Sequence, residues 1–243
     1  MTETVTADPR LIVGLDLPSV EAAEALTQRL EDVVSSWKVG LTLLARPGGV
    51  AFAHRLRERG CKVFQDWKLH DIGAQVEGAA RAVAEGGCDW LTVHAEPQVM
   101  AAAVAGRGDQ PTAILAVTVL TSLSDADLTE IGYSQSASDL VARRVRQALD
   151  AGVDGVVSSP LEADRARALA TEAGRTDFLV VTPGVRPAGA EIGDQQRVAT
   201  PADALRSGAS HLVVARPIVA AADPRAAAQT IVREMAASAF ETT

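Results

Sequence analysis

Residues Glu85–Ala95 read EGGCDWLTVHA. Glycine suits the left-handed position that stops a helix, the Cys-Asp pair makes a short turn, and Trp90–Ala95 then runs as β-rich residues. The same order recurs in RGCKVFQDW from Arg59, AGVDGVVSS from Ala151 and SGASHLVVARP from Ser207. Each copy marks a helix-to-strand junction. Between the junctions lie amphipathic stretches, for example Ala23, Leu26, Leu30 and Val33 behind an N-capping Ser19. Strand and helix therefore alternate along the chain.

Eight apolar, β-rich runs can be counted: LIVGLD from Leu11, SWKVGL from Ser36, KVFQDW from Lys62, WLTVHA from Trp90, AILAVTVL from Ala113, GVVSS from Gly155, FLVVTPG from Phe178 and HLVVARP from His211. Runs apolar on both faces belong to a parallel sheet covered on both sides, and eight of them with intervening helices predict an α/β fold, a closed (β/α)₈ TIM barrel. The alternative is an open, doubly wound sheet. That fold usually has fewer strands and a glycine-rich first turn, and GLDLPS from Gly14 is not G-x-G-x-x-G.

With 243 residues and 47% hydrophobic content, the chain can bury roughly three quarters of its unfolded surface. No Ser/Gly linker or charge block divides it, so residues 1–243 are expected to form a single barrel domain with 1–10 as an N-terminal extension. The net charge of −8 argues against nucleic acid as a partner, since such binders cluster basic residues on one face. An anionic ligand must then be held by a local site. Cys61 and Cys88 each precede an apolar run and are expected to be buried free thiols in a reducing cytosol. The first ten residues have no apolar signal core, and no run approaches the roughly 18 apolar residues of a membrane span. A cytoplasmic protein without a membrane partner is expected.

Several polar side chains interrupt the strands late in their course: Asp16, Lys38, Asp66, Lys68 and His94, with Thr121 just past the fifth run. In a barrel of this type the carboxyl ends of the strands form the active-site face. Asp66 and Lys68 are two apart, so the strand period puts both on one face. Taken singly, each charge reads as a solvated strand end or half of a structural ion pair. Four charges of alternating sign on three adjacent strands read differently. Burial costs several kcal/mol per ion unless the ions pair well, and a Lys/Asp chain supplies that pairing. Such a chain would hold Lys68 as an ammonium in a fixed position, a candidate general acid. His70 and His94 read as hydrogen-bonded structural residues. A metal held by Asp16, Asp66 and His94 is disfavoured, because Lys38 and Lys68 bring ammonium groups to the cation's place.

TPGVRPAG from Thr182 and ARPI from Ala215 follow the seventh and eighth runs, where barrels frequently bind phosphate. Arg186 and Arg216 can make forked contacts to phosphate oxygens.

Asp16, Lys38, DWKLHDI from Asp66, VHA from Val93, LTS from Leu120, TPGVRP, DQQR from Asp194 and RPI from Arg216 together resemble the orotidine 5'-phosphate decarboxylase family, in order from Leu11 to Ile218. The resemblance implies cofactor-independent decarboxylation of orotidine 5'-monophosphate to UMP, the last step of de novo pyrimidine nucleotide synthesis, with no metal. It implies that Lys38, Asp66, Lys68 and Asp71 surround the reacting carbon, Asp66 facing the substrate carboxylate and Lys68 protonating the carbanion. Asp16 and Lys38 would also hold ribose hydroxyls, Thr121 and Gln195 the pyrimidine and phosphate, and Arg186 and Arg216 the phosphate. It further implies a homodimer in which Asp71 reaches the partner's site. Three departures stand out. The family's D-I-P-N-T is here Asp71, Ile72, Gly73, Ala74 and Gln75, which puts Gln75 at a substrate-binding position that usually carries a hydroxyl; Ala215 replaces a glycine beside the phosphate; and HAEPQ from His94 lacks paired glycines. Two rival classes share features of this sequence. A magnesium-dependent sugar-phosphate lyase of the same barrel group carries an acidic metal ligand where this chain has Lys38. A non-catalytic nucleotide-binding barrel would bind UMP and release no CO₂.

Overall fold

Gly87 ends its helix with φ 80°, and Gly60, Gly152 and Gly208 stop theirs at φ 81°, 73° and 92°. Positive φ costs an L side chain strain and costs glycine none, so each of the four junctions is built on its glycine. The computed structural model describes residues 6–187 and 199–237. After the four junctions come strands β3 (Lys62–Leu69), β4 (Trp90–His94), β6 (Gly155–Val157) and β8 (His211–Val214). The remaining strands are β1 (Leu11–Gly14), β2 (Ser36–Gly40), β5 (Ala113–Val117) and β7 (Leu179–Thr182). They pair in chain order, all parallel, and β8 closes onto β1 through Leu11–Leu212 and Val13–Val214. The predicted (β/α)₈ barrel is the observed fold.

The strand period sorts the apolar residues into two layers. Ile12, Phe64, Trp90, Leu115, Val181 and Val213 fill the barrel interior. Their neighbours, such as Leu11, Val13 and Val63, or Ile114 and Ala116, point outward into the shell under the helices. The shell is built by α1 (Val20–Arg29), α2 (Leu41–Leu44), α3 (Gly49–Glu58), α4 (Gly73–Gly86), α5 (Pro97–Arg107), α6 (Asp125–Glu130), α7 (Ala137–Ala151), α8 (Ala163–Glu172), α9 (Pro201–Arg206), α10 (Arg216–Val219) and α11 (Pro224–Ala237). Ser19 caps α1 as its sequence predicts, its Oγ accepting from the Ala22 N–H at 3.2 Å.

Four local expectations change. Most runs leave the sheet earlier than their composition implies, β5 ending at Val117 and β1 at Gly14, because the chain turns out at the mouth to form loops. β3 instead runs on to Leu69, and its register against β4 shifts between Gln65 and Leu69. Finally, Cys88 is buried, its thiol pushed up to about 12 chiefly by desolvation, but Cys61 is only half-buried; both are free. Residues Asp8–Arg10, expected to be part of an extension, are tied to the barrel: Arg10 O accepts from the Leu212 N–H at 2.8 Å, and Ser36 Oγ donates to Pro9 O at 3.2 Å. Among the described residues, no helix is long and apolar enough to cross a membrane.

Candidate active site

Lys38 lies on β2 with Gly14 of β1 and Phe64 of β3 as register partners, so it points into the barrel. Glycines leave room for it. A Cβ on Gly14 would stand 3.3 Å from Lys38 Cε, and one on Gly40 3.0 Å from Lys38 Nζ. The ammonium reaches Asp16 Oδ1 at 3.4 Å and Asp66 Oδ2 at 3.3 Å, and Lys68 Nζ meets the same Asp66 Oδ2 at 2.8 Å. Asp16, Lys38, Asp66 and Lys68 thus form one chain of alternating charge, as the sequence predicts.

Burial works against both inner members of that chain, and the pairing prevails. Desolvation opposes the charged form of Lys38, but Asp66 and Asp16 hold its pKa above the usual lysine range. Desolvation likewise opposes ionised Asp66, yet Lys38, Lys68 and the hydrogen bonds from Lys68 and Thr92 hold its pKa below the usual carboxylate range. A carboxylate between two ammonium groups is the result.

Lys68 does not sit in a plain strand. Its φ of 50° is the one positive value among the described non-glycine residues, and it falls inside the β3–β4 register shift. Such backbone costs about 1–3 kcal/mol and clusters at functional sites. Thr92 of β4 supports it: the Lys68 N–H donates to Thr92 Oγ1 at 3.0 Å, and that hydroxyl donates to Asp66 Oδ1 at 2.8 Å.

The charge chain forms one side of a cavity of about 220 Å³ at the carboxyl ends of the strands. Val117, Val119, Leu120, Val157 and Pro183 make an apolar wall, with Thr121 and Ser158 among them. Arg186, Ala215 and Arg216 line the remaining side. Burial and then the neighbouring Arg216 guanidinium push Arg186 below the usual arginine range. Two like charges held so close suit a multiply charged anion. The mouth therefore gathers four cationic side chains and two carboxylates in a protein of net charge −8.

Of the residues singled out in the sequence, Asp16, Lys38, Asp66, Lys68, Thr121, Arg186, Ala215 and Arg216 meet at this cavity. Asp71 and Gln75 are exposed and do not line it. Gln195, with Asp194, lies outside the described residues. His70 and His94 also lie off the cavity, stacked with ring centroids 4.7 Å apart; His70 Nε2 is 3.5 Å from Glu96 Oε2, and desolvation lowers the pKa of His94. The sequence reading missed Gly14, Gly40 and Thr92. Gly14 and Thr92 matter through neighbours on adjacent strands, and Gly40 through Lys38 two residues earlier on its own strand.

A closed parallel barrel whose mouth joins an alternating Lys/Asp chain to a pair of arginines has the features of a site for small anionic ligands. Comparison with known proteins narrows that class. The chain belongs to the orotidine 5'-phosphate decarboxylase / HUMPS family, whose model matches residues 9–231. It is 63% identical over 232 residues to an orotidine 5'-phosphate decarboxylase of Caulobacter vibrioides (strain NA1000 / CB15N), covering 96% of this chain and 99% of the relative. It is 54% identical over 236 residues to the enzyme of that name from Methylobacterium radiotolerans, covering 97% and 100%. The crystal structure of orotidine 5'-phosphate decarboxylase from Lactobacillus acidophilus superposes with a TM-score of 0.78 at 36% identity, covering 94% of this chain and 99% of that one.

Proposed function

We propose that the protein decarboxylates orotidine 5'-monophosphate to UMP in pyrimidine nucleotide synthesis. The carrying observation is the alternating chain Asp16–Lys38–Asp66–Lys68 facing Arg186 and Arg216 across one cavity. A substrate with a phosphate at one end and a carboxylate at the other fits that spread of charge.

In the reaction, the bond between carbon six and the carboxylate breaks, CO₂ leaves, and the electron pair stays on carbon six. No π system accepts those electrons. The site must therefore offer a charge complement that grows in value as the anion forms. Lys68 supplies it and passes a proton from Nζ to carbon six, regaining one from solvent. Asp66 faces the departing carboxylate, and its repulsion is relieved as CO₂ leaves. Lys38 keeps Asp66 ionised and, with Asp16, holds ribose hydroxyls. Thr121 and Gln195 hold the pyrimidine and phosphate, Gln75, which lies off its own chain's cavity, is assigned with Asp71 to the neighbouring subunit's site, and Arg186, Ala215 and Arg216 form the phosphate end. Fixing the phosphate far from carbon six contributes to catalysis by positioning.

The magnesium-dependent branch of the group fits this site poorly. Lys38 Nζ stands 3.4 and 3.3 Å from the carboxylates of Asp16 and Asp66, where a cation would have to be held.

Asp71 is assigned to the neighbouring subunit of a homodimer. It is exposed, and beside it Ile72 is 67% exposed, an apolar side chain suited to a face that a second copy covers. The same reading makes the chain one barrel domain working in the cytoplasm. The direct test follows the absorbance of orotidine 5'-monophosphate with excess chelator present. Steady loss is expected, whereas no loss either with chelator or after magnesium is restored would refute the decarboxylase reading.

A further inference from the structure

Resting on the decarboxylase reading, we infer that Thr92 is a positioning residue that locks the Lys68 backbone and the Asp66 carboxylate into one unit. Thr92 is fully buried on β4, and its register neighbours place it beside the break in the β3–β4 ladder. That break takes Lys68 out of regular pairing, and the Thr92 hydroxyl accepts its N–H at 3.0 Å. The hydroxyl's own proton goes to Asp66 Oδ1 at 2.8 Å.

The two oxygens of Asp66 are therefore divided. Oδ1 belongs to Thr92, and Oδ2 takes both ammonium groups, Lys68 at 2.8 Å and Lys38 at 3.3 Å. Fixing one oxygen fixes the plane of the carboxylate, and with it the line along which Lys68 Nζ is held. An apolar residue at 92 would leave a buried carboxylate oxygen and a strained N–H without this partner, each of which would then pull toward another arrangement. Thr92 touches neither the cavity nor any group that changes bonds, so its effect passes through Lys68 and Asp66.

The test compares Thr92→Val, which keeps shape and removes the hydroxyl, with Thr92→Ser, which restores it. Thr92→Cys, close to serine in size but a weak hydrogen-bonding group, covers the case in which valine does not fold. The valine and cysteine variants should lose about 10- to 100-fold in kcat, as a displacement near 1 Å would cause, while UMP affinity stays close to wild type. The serine variant should keep kcat near wild type. A general packing defect would instead lower thermal stability and weaken UMP binding, and serine, which lacks the methyl, would not repair it. Full kcat in the valine or cysteine variant, or equal loss in serine, overturns the inference.

A crystal structure of the hydroxyl-lacking variant separates this inference from the reading beneath it. Lys68 should leave positive φ or draw away from Asp66. If wild type fails to turn over orotidine 5'-monophosphate, the functional reading falls. The role of Thr92 is then decided by that structure alone, and an unchanged Lys68 in it would refute the role.

Discussion

Asp66→Asn keeps the shape of the side chain and removes the charge on which two ammonium groups converge. At an effective dielectric of about 20, unit charges at 3.3 and 2.8 Å attract by about 5 and about 6 kcal/mol. Much of that is offset by what it costs to take Asp66 out of water, so the net loss on removing one buried partner is about 3–5 kcal/mol. For a domain of this size that lowers Tm by roughly 6–20 °C. The pH dependence has a definite sign. The pKa of Asp66 is depressed in the folded state, so its stabilisation is present above the unfolded value of about 3.9 and is lost as pH falls through the lower folded value. Lys38 is raised, so its share is full below about 10.4 and is lost as pH rises through its higher folded value. Urea unfolding of wild type and Asp66→Asn across pH should show a constant gap from about pH 5 to pH 8 that begins to close below about pH 4. Equal midpoints at pH 7, or a gap that widens with acid, would refute the charge chain as drawn.

Arg216→Ala should weaken turnover of orotidine 5'-monophosphate far more than turnover of unphosphorylated orotidine, because the guanidinium is assigned to phosphate; equal loss on both would make Arg216 structural. Gly40→Ala puts a Cβ 3.0 Å from Lys38 Nζ, so kcat should fall by about tenfold or more while urea stability changes little, and wild-type kcat would show that Lys38 tolerates displacement. Inactive Lys68→Ala and Asp71→Ala dimers, mixed and re-associated, should recover roughly a quarter of wild-type activity, since about half the dimers are mixed and one of their two sites is intact. A dead mixture that demonstrably contains mixed dimers would return Asp71 to its own chain.

The fold was legible because each repeat writes its junction locally: a glycine, a polar turn and an apolar run need no tertiary information. Asp16, Lys38, Asp66 and Lys68 were legible for the opposite reason, since charge in an apolar strand calls for a partner. What lay hidden depends on closure. Thr92 is an ordinary strand residue by composition, and only the shifted register beside Lys68 gives its hydroxyl two partners. The plain period of two placed Asp66 and Lys68 on the same side correctly, but a bulge with a left-handed lysine achieves the 2.8 Å contact. Gly40 matters because Lys38 Nζ occupies the space its side chain would fill, and Gly14 because Ala215 Cβ and Lys38 Cε would stand 3.0 and 3.3 Å from a Cβ there. Gln75 carried no local signal and Asp71 only a charge after an apolar run; family resemblance alone gave them roles, and within one chain neither lines the cavity.

The central claim is that Lys68 gives its proton to the carbon that CO₂ leaves. Single-turnover release of labelled CO₂ from carboxyl-labelled orotidine 5'-monophosphate, with chelator present, tests it in wild type and in Lys68→Ala at matched UMP occupancy. The account predicts rapid release by wild type and a loss of at least about 10²-fold in the variant, with UMP still bound. Release by Lys68→Ala within about tenfold of wild type would contradict it.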